Sequence, residues 1–186
     1  PKEVVEVGSL VTGRITSLGA DPQSPGKSID FGSRVEKGTL LAQIDDAMYA
    51  AQVEQAEAAC KRAEAELVQA KARLALAKAE WRRAEIGAKD KSIPASDLEV
   101  AKCTYEVAQA SVAIAEASVE QDRAGLKQAR IGLEATRIRS PVQGVIIDRR
   151  VNLGQTVAAA HNAPSLFLIA KGLKDLQLWV SVNEAD

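Results

Sequence analysis

Two apolar stripes with coiled-coil spacing, separated by a single break, govern how this chain can fold. The first runs from Tyr49 through Val53, Ala56, Cys60, Ala63, Leu67, Ala70, Leu74, Ala77 and Trp81 to Ala84, in alternating steps of three and four. The second runs from Leu98 through Ala101, Tyr105, Ala108, Val112, Ala115, Val119, Asp122, Leu126 and Ala129 to Leu133. Such spacing is the a/d seam of a coiled coil. Between the stripes, IGAKDKSIPAS (86–96) breaks helix twice. Gly87 is expected as a left-handed C-terminal cap. Pro94 suits a first helical turn, and Ser96-Asp97-Leu98-Glu99 has the form of a capping box.

Folding this segment back on itself about residue 91 makes the seams complementary. Ala63 then faces Val119, Leu67 faces Ala115, Ala77 faces Tyr105, and Trp81 faces Ala101. Every layer except Cys60–Asp122 and the outermost, Tyr49–Leu133, sets a large side chain against alanine, which fills space at native density. A parallel pairing of two chains would stack Trp81 on Trp81 instead. A single long helix or a generic bundle explains neither the break nor the matching. The segment 46–136 therefore reads as an antiparallel helical hairpin with its tip near 87–95. Each arm of about 40 residues spans roughly 60 Å at 1.5 Å per residue.

Composition fits this reading. Apolar residues make up 46% of the 186 residues but aromatics only 3%, with alanine supplying much of the difference. That argues against a compact globular core through the middle and for long helices side by side. The net charge of −1 and pI near 6.0 give no electrostatic ground for a nucleic-acid partner. Two cysteines, Cys60 and Cys103, make no disulfide framework. They lie roughly 30 Å apart along the arms by helix rise, too far for a bridge. No apolar run reaches the roughly 18 residues of a membrane span. The sequence opens at Pro1 directly on a strand-like EVVEV and reads as a fragment, so a missing leader or anchor carries no weight.

The flanks read as strands. Residues 3–45 contain EVVEV, LVTGRITSL and RVEKGTLLAQID, with a loop over 19–28. Residues 137–172 contain IRSPVQGVIIDRRV, QTV and SLFLIA, and 173–186 hold one further strand, LQLWVSV. Neither flank is long enough to bury a core alone, and the hairpin brings Asp45 and Ser140 together. The two flanks therefore form one β domain. They also echo each other: GRI, FGSRV and KGTLLAQI in the first answer to GVI, LGQTV and APSLFLIA in the second. This quasi-repeat predicts two similar half-sheets packed face to face.

These residues resemble a family. RVEKGTLLAQIDD…Y (34–49) and IRSPVQGVI…V…GQTV (138–157) look like the two half-motifs of the periplasmic adaptor proteins, also called membrane fusion proteins, of the haemolysin-secretion-D-like type. The resemblance implies an α+β fold: a lipoyl-like split β-sandwich interrupted by a long antiparallel coiled-coil hairpin. LQLWVSVNEAD then resembles the first strand of a following β-barrel. It further implies a non-enzymatic periplasmic adaptor of tripartite efflux or type I secretion systems, held to the inner membrane by an N-terminal segment that precedes this sequence. Its partners would be an inner-membrane transporter of ABC or RND type, with the ATP-driven class ranked first, and an outer-membrane channel. The adaptors would form a homo-oligomeric ring, a hexamer, and export small molecules or polypeptides. An alternative is the lipoyl or biotinyl swinging-arm domain of a multienzyme complex. Relatives of that kind carry a lysine at a tight hairpin. Here the helical insertion occupies that place, and Lys37 and Lys171 lie in neither an Asp-Lys nor a Met-Lys context.

Chemistry is otherwise sparse. His161 is the only histidine, in AAAHNAP, with no cysteine or carboxylate cluster beside it, so a loop histidine is expected and no metal or cofactor. Asp45 and Asp46 precede a helix, and N-capping accounts for them. By the resemblance, the hairpin tip touches the channel. Arg82, Arg83 and Ile86 before the turn and Ser92, Ile93 and Ser96 around it are the expected partner-binding residues. The match to the family's tip pattern is partial, with Pro94 where a serine and Gly87 where a leucine would stand. A last feature comes from spacing alone. Val100, Cys103, Val107, Ala110, Ile114 and Ala117 form a stripe outside the second seam. Alanine is a good helix former anywhere, but β-branched residues are poor ones and costly to leave wet. Val100, Val107 and Ile114 are therefore the expected contact with a neighbouring protomer.

Overall fold

In the computed structural model, which describes residues 3–24, 26–159 and 164–171, the chain divides into two compact units. One comprises Pro1–Ala50 with Ile131–Asp186, the other Ala51–Arg130. His161 and the strand expected over 173–186 lie outside the described residues. The elements in chain order are β1 (Val4–Val7), β2 (Gly13–Leu18), β3 (Arg34–Val35), β4 (Leu40–Ile44), α1 (Ala47–Lys89), α2 (Ala95–Ala135), β5 (Arg137–Arg139), β6 (Gly144–Arg149), β7 (Thr156–Val157) and β8 (Phe167–Ala170).

The first unit holds two four-stranded sheets, ordered β1-β8-β6-β3 and β5-β4-β2-β7. All pairings are antiparallel. Moving four strands along the chain converts one order into the other, so the quasi-repeat is real. The expected arrangement of two half-sheets face to face is corrected, however. Each sheet takes two strands from each flank, because β1 and β3 leave their own half to pair with β8 and β6, while β5 and β7 pair with β4 and β2. The very short β3 and β7 each close a sheet edge on the strand of the opposite half. Neither flank can then fold without the other.

Between the sheets lie Ile15, Ile29, Leu41, Ile44, Ile146, Phe167 and Ile169, all essentially fully buried. Burying side chains of this size stabilises by about 1.5–3 kcal/mol each. The repeat also fixes its glycines in pairs. Gly32 and Gly154 open the β3 and β7 turns with φ of 84° and 80°, a region that side chains with a Cβ rarely enter. Gly13 and Gly144 begin β2 and β6 where the chain passes close to the end of a neighbouring strand. A Cβ would stand 2.4 Å from the Ile44 side chain at the first and 2.4 Å from the Ala170 carbonyl oxygen at the second.

The ends of the insertion are tied into this unit. The Ile44 N–H donates to the Thr136 carbonyl at 2.8 Å, and Gln43 Nε2 donates to Thr136 Oγ1 at 3.1 Å. Asp45 Oδ1 accepts the Ala47 N–H at 3.2 Å and caps α1 as expected, and Tyr49 Oη donates to the Thr12 carbonyl at 2.9 Å.

In the second unit the two helices form the expected hairpin. Every seam position is buried or half-buried, with Ala63 facing Val119 at the most enclosed layer. Three ion pairs flank the seam: Glu57–Arg130 at 2.8 Å, Glu64–Arg123 at 2.8 Å and Lys71–Glu116 at 3.1 Å. They climb one arm and descend the other in steps of seven, one per heptad, as the fold-back register about residue 91 requires. They are exposed, so their worth is register more than stability.

The paired glycines supply a test. At Gly144 the obstacle is backbone, whereas at Gly13 it is a movable side-chain methyl. Gly144→Ala is expected to destabilise by about 2–4 kcal/mol and Gly13→Ala by about 1–2 kcal/mol. Chemical denaturation of the two variants checks the order; equal losses would contradict the distinction between a backbone and a side-chain obstacle.

Candidate docking surfaces

The hairpin tip is closed by backbone geometry that differs from the sequence expectation. Helix α1 continues through Gly87 to Lys89, and Lys91 takes the left-handed conformation at φ 53°. The Ser92 N–H donates to the Gly87 carbonyl at 2.9 Å and the Lys91 N–H to the Ala88 carbonyl at 3.1 Å. These are the two bonds of a Schellman cap, with Lys91 where glycine is usual. Gly87 serves a different end. A Cβ there would press within 3.2–3.5 Å of Ser92 Oγ and the Ile93 side chain, so glycine lets the turn fold back onto the helix.

The capping box is also corrected. Helix α2 already begins at Ala95, so Ser96 lies inside it and its hydroxyl meets Asp97 Oδ1 at 3.3 Å rather than capping. Pro94, with φ fixed near the helical value and no N–H to satisfy, lets the helix start two residues sooner.

Around this cap, Arg82, Arg83 and Ile86 are exposed, while Ile93 is half-buried against Gly87. Ser92 Oγ donates to the Gly87 carbonyl at 2.9 Å, and Ser96 is exposed. Just below, Trp81 and Tyr105 stack with ring centroids 4.9 Å apart. The seam places them in adjacent layers, each over an alanine of the other arm, and the rings bridge the two layers. Such a pair adds about 0.5–1.5 kcal/mol beyond its buried area.

The outer stripe is where spacing put it. Val100, Val107 and Ile114 are all exposed, Ile114 at 72%. Helix α1 also presents apolar side chains on its outer side, since Val68 and Leu76 are exposed. In the fold-back register Val68 stands level with Ile114, and Leu76 with Val107. Among the described residues of the second unit, the exposed large apolar side chains run from the level of Val68 and Ile114, near mid-arm, to the tip.

Sequence reasoning missed the ion-pair ladder, although opposite charges seven residues apart beside each seam were visible. It also missed the β domain's own exposed apolar side chains. Phe31 is 75% exposed and Leu153 60%, each directly before a left-handed glycine.

A left-handed Lys91 carries a cost that glycine avoids. Lys91→Gly is expected to raise stability by about 0.5–1 kcal/mol after allowing for glycine's greater freedom in the unfolded chain. A thermal melt showing no gain or a loss would contradict the cap as described.

The arrangement has known counterparts. A family model described as the barrel-sandwich hybrid domain of RND membrane fusion proteins matches residues 3–169. The crystal structure of MacA from Actinobacillus actinomycetemcomitans superposes with a TM-score of 0.80 and 29% identity, over 89% of this chain and 48% of that one. The chain thus spans about half the length of that protein. Spr0693, a membrane fusion protein from Streptococcus pneumoniae R6, shares the fold at a TM-score of 0.52 and 15% identity, over 92% of this chain and 64% of its own. So does the soluble domain of LipC, a membrane fusion protein of a type I secretion system, at 0.52 and 12%, over 91% of this chain and 100% of its own. No curated protein sequence matches significantly. Among the described residues no helix is long and apolar enough to cross a membrane. With nearly all of its described residues inside the matched span, the chain belongs to the RND membrane fusion protein family, whose barrel-sandwich hybrid domain it contains.

Proposed function

We propose that this protein is a non-enzymatic periplasmic adaptor that joins an inner-membrane transporter to an outer-membrane channel in an efflux or secretion system. The observation that carries the reading is the set of exposed apolar and cationic side chains at the tip and along the outer face of an otherwise self-sufficient hairpin. Its seam already buries what the two arms need to bury. Exposed Ile86 with Arg82 and Arg83 at the tip, and Val100, Val107 and Ile114 on the outer face of α2, then serve contacts beyond the chain.

In this reading the tip docks on the channel. Arginine suits such a contact because its fork of donors can meet carboxylates or backbone carbonyls in fixed geometry. The α2 stripe packs on the next copy's hairpin in a ring, a hexamer by family resemblance. A rotationally closed ring keeps all copies at one height, and its two mating faces differ. The level pairs Ile114 with Val68 and Val107 with Leu76, on different arms, meet both conditions. For the transporter, the ATP-driven class is retained ahead of the proton-driven one. The cargo is a small molecule or polypeptide passing through the ring.

The tip is tested by Arg82→Ala, Arg83→Ala and Ile86→Ser together. All three side chains are exposed, so helicity and melting should stay within about 0.5 kcal/mol of the parent. Export by the assembled system should fall at least about tenfold, since several interface anchors are lost at once. A folded triple variant that exports at the parent level would overturn docking at the tip.

A further inference from the structure

Among the described residues, Lys91 is the only one other than glycine with a left-handed backbone. It lies in the short connection between Lys89, where α1 ends, and Ala95, where α2 begins. A short connection under strain invites two copies of a chain to exchange arms.

Nothing below the tip opposes such an exchange. Each sheet takes strands from both flanks, but no pairing requires the two flanks to belong to one chain. Helix α1 of one copy could meet α2 of another through the same layers, Ala63 on Val119 included. The Glu57–Arg130 and Glu64–Arg123 pairs would form across copies equally well. Exchange of an identical element keeps every contact except those of the turn. It requires each chain to run from α1 into α2 without turning back.

The tip obstructs that straight path twice. Pro94 would stand inside the joined helix. There it lacks the N–H that should bond the carbonyl four residues back, and its ring crowds that carbonyl. The residue before it is also steered away from helical backbone. The second obstacle is charge. The α1 seam, carried on from Trp81 and Ala84 in its own steps, passes through positions 88 and 91. The α2 seam, carried back from Leu98, passes through 94 and 91. Both runs meet at 91, which is also the fold-back point. An exchanged pair would therefore set Lys91 of one copy against Lys91 of the second inside the seam. A polar residue at a seam position costs stability, and like charges opposed there repel. In the closed hairpin Lys91 is exposed, and its charge stays in water.

We propose that Lys91 and Pro94 bar the exchange of arms between two copies of this chain. Lysine stands where glycine would relax the cap because its charge disfavours a second copy at the seam. The closed hairpin is thereby favoured over a pair of chains in which each β domain combines one flank from each copy.

The test uses the full-length protein with Cys60→Ser and Cys103→Ser, and with Ala63→Cys and Val119→Cys added. A disulfide between these facing seam positions reads exchange alone, because packing the outer side of one hairpin on another does not bring them together. With the parent tip, the link should lie within one chain and run at the mass of one chain on a non-reducing gel. Lys91→Leu with Pro94→Ala should raise the two-chain product at least about tenfold. Lys91→Glu with Pro94→Ala keeps like charges at the centre and should return most of the link to one chain. If Lys91→Leu with Pro94→Ala links within one chain as the parent does, the proposal is wrong. If Lys91→Glu with Pro94→Ala gives as much two-chain product as Lys91→Leu with Pro94→Ala, the role given to the Lys91 charge is overturned.

Discussion

The pairing of β4 with β5 is the constraint on which the rest depends. It joins Ala42 to Ile138 and Gln43 to Arg137 across the whole helical insertion, and Ile44 to Thr136 by a backbone bond. Once those residues are neighbours, the intervening chain must leave and return at one place. An antiparallel hairpin with its own seam meets that demand without borrowing core from the sandwich. The entropy of closing so long a loop grows only slowly with its length. The large/small alternation of the seam and its flanking ion pairs then hold the returning arm in register.

The same pairing makes the β domain a joint product of both flanks. Strand exchange puts Leu41 and Ile44 from one flank against Ile146, Phe167 and Ile169 from the other. Because the flanks are repeats, what one needs the other needs also. Gly32 and Gly154 share a backbone conformation, and Gly13 and Gly144 share a close approach. Phe31 and Leu153 share exposure at the tips of equivalent turns.

Much of this was legible in the sequence where periodicity carried the signal. The seam of heptads, its break and its fold-back point could be read because helix period and side-chain size repeat over many residues. The stripe of Val100, Val107 and Ile114 was legible for the same reason. The errors lie where one residue decides. Gly87 advertised a cap that Lys91 performs, because a close approach at Gly87 and a left-handed turn at Lys91 both favour small or flexible backbone. Ser96 advertised a capping box that an earlier start at Ala95 forestalls. The exchange of β3 and β7 between halves was illegible, since two-residue strands have no period and their partners are set by distant geometry. Phe31 was invisible as a surface feature, because an aromatic beside strand-forming residues reads as core.

The claim that the two flanks form one interleaved unit is tested most directly by native-state amide hydrogen exchange. Stable amides open with the free energy of the cooperative unit they belong to. Leu41 and Ile44 of the first flank and Ile146 and Ile169 of the second should therefore report a common opening free energy, with the same dependence on denaturant. If the amides of residues 13–44 and those of residues 144–170 instead open at separate free energies, the halves fold independently and the interleaved account is wrong.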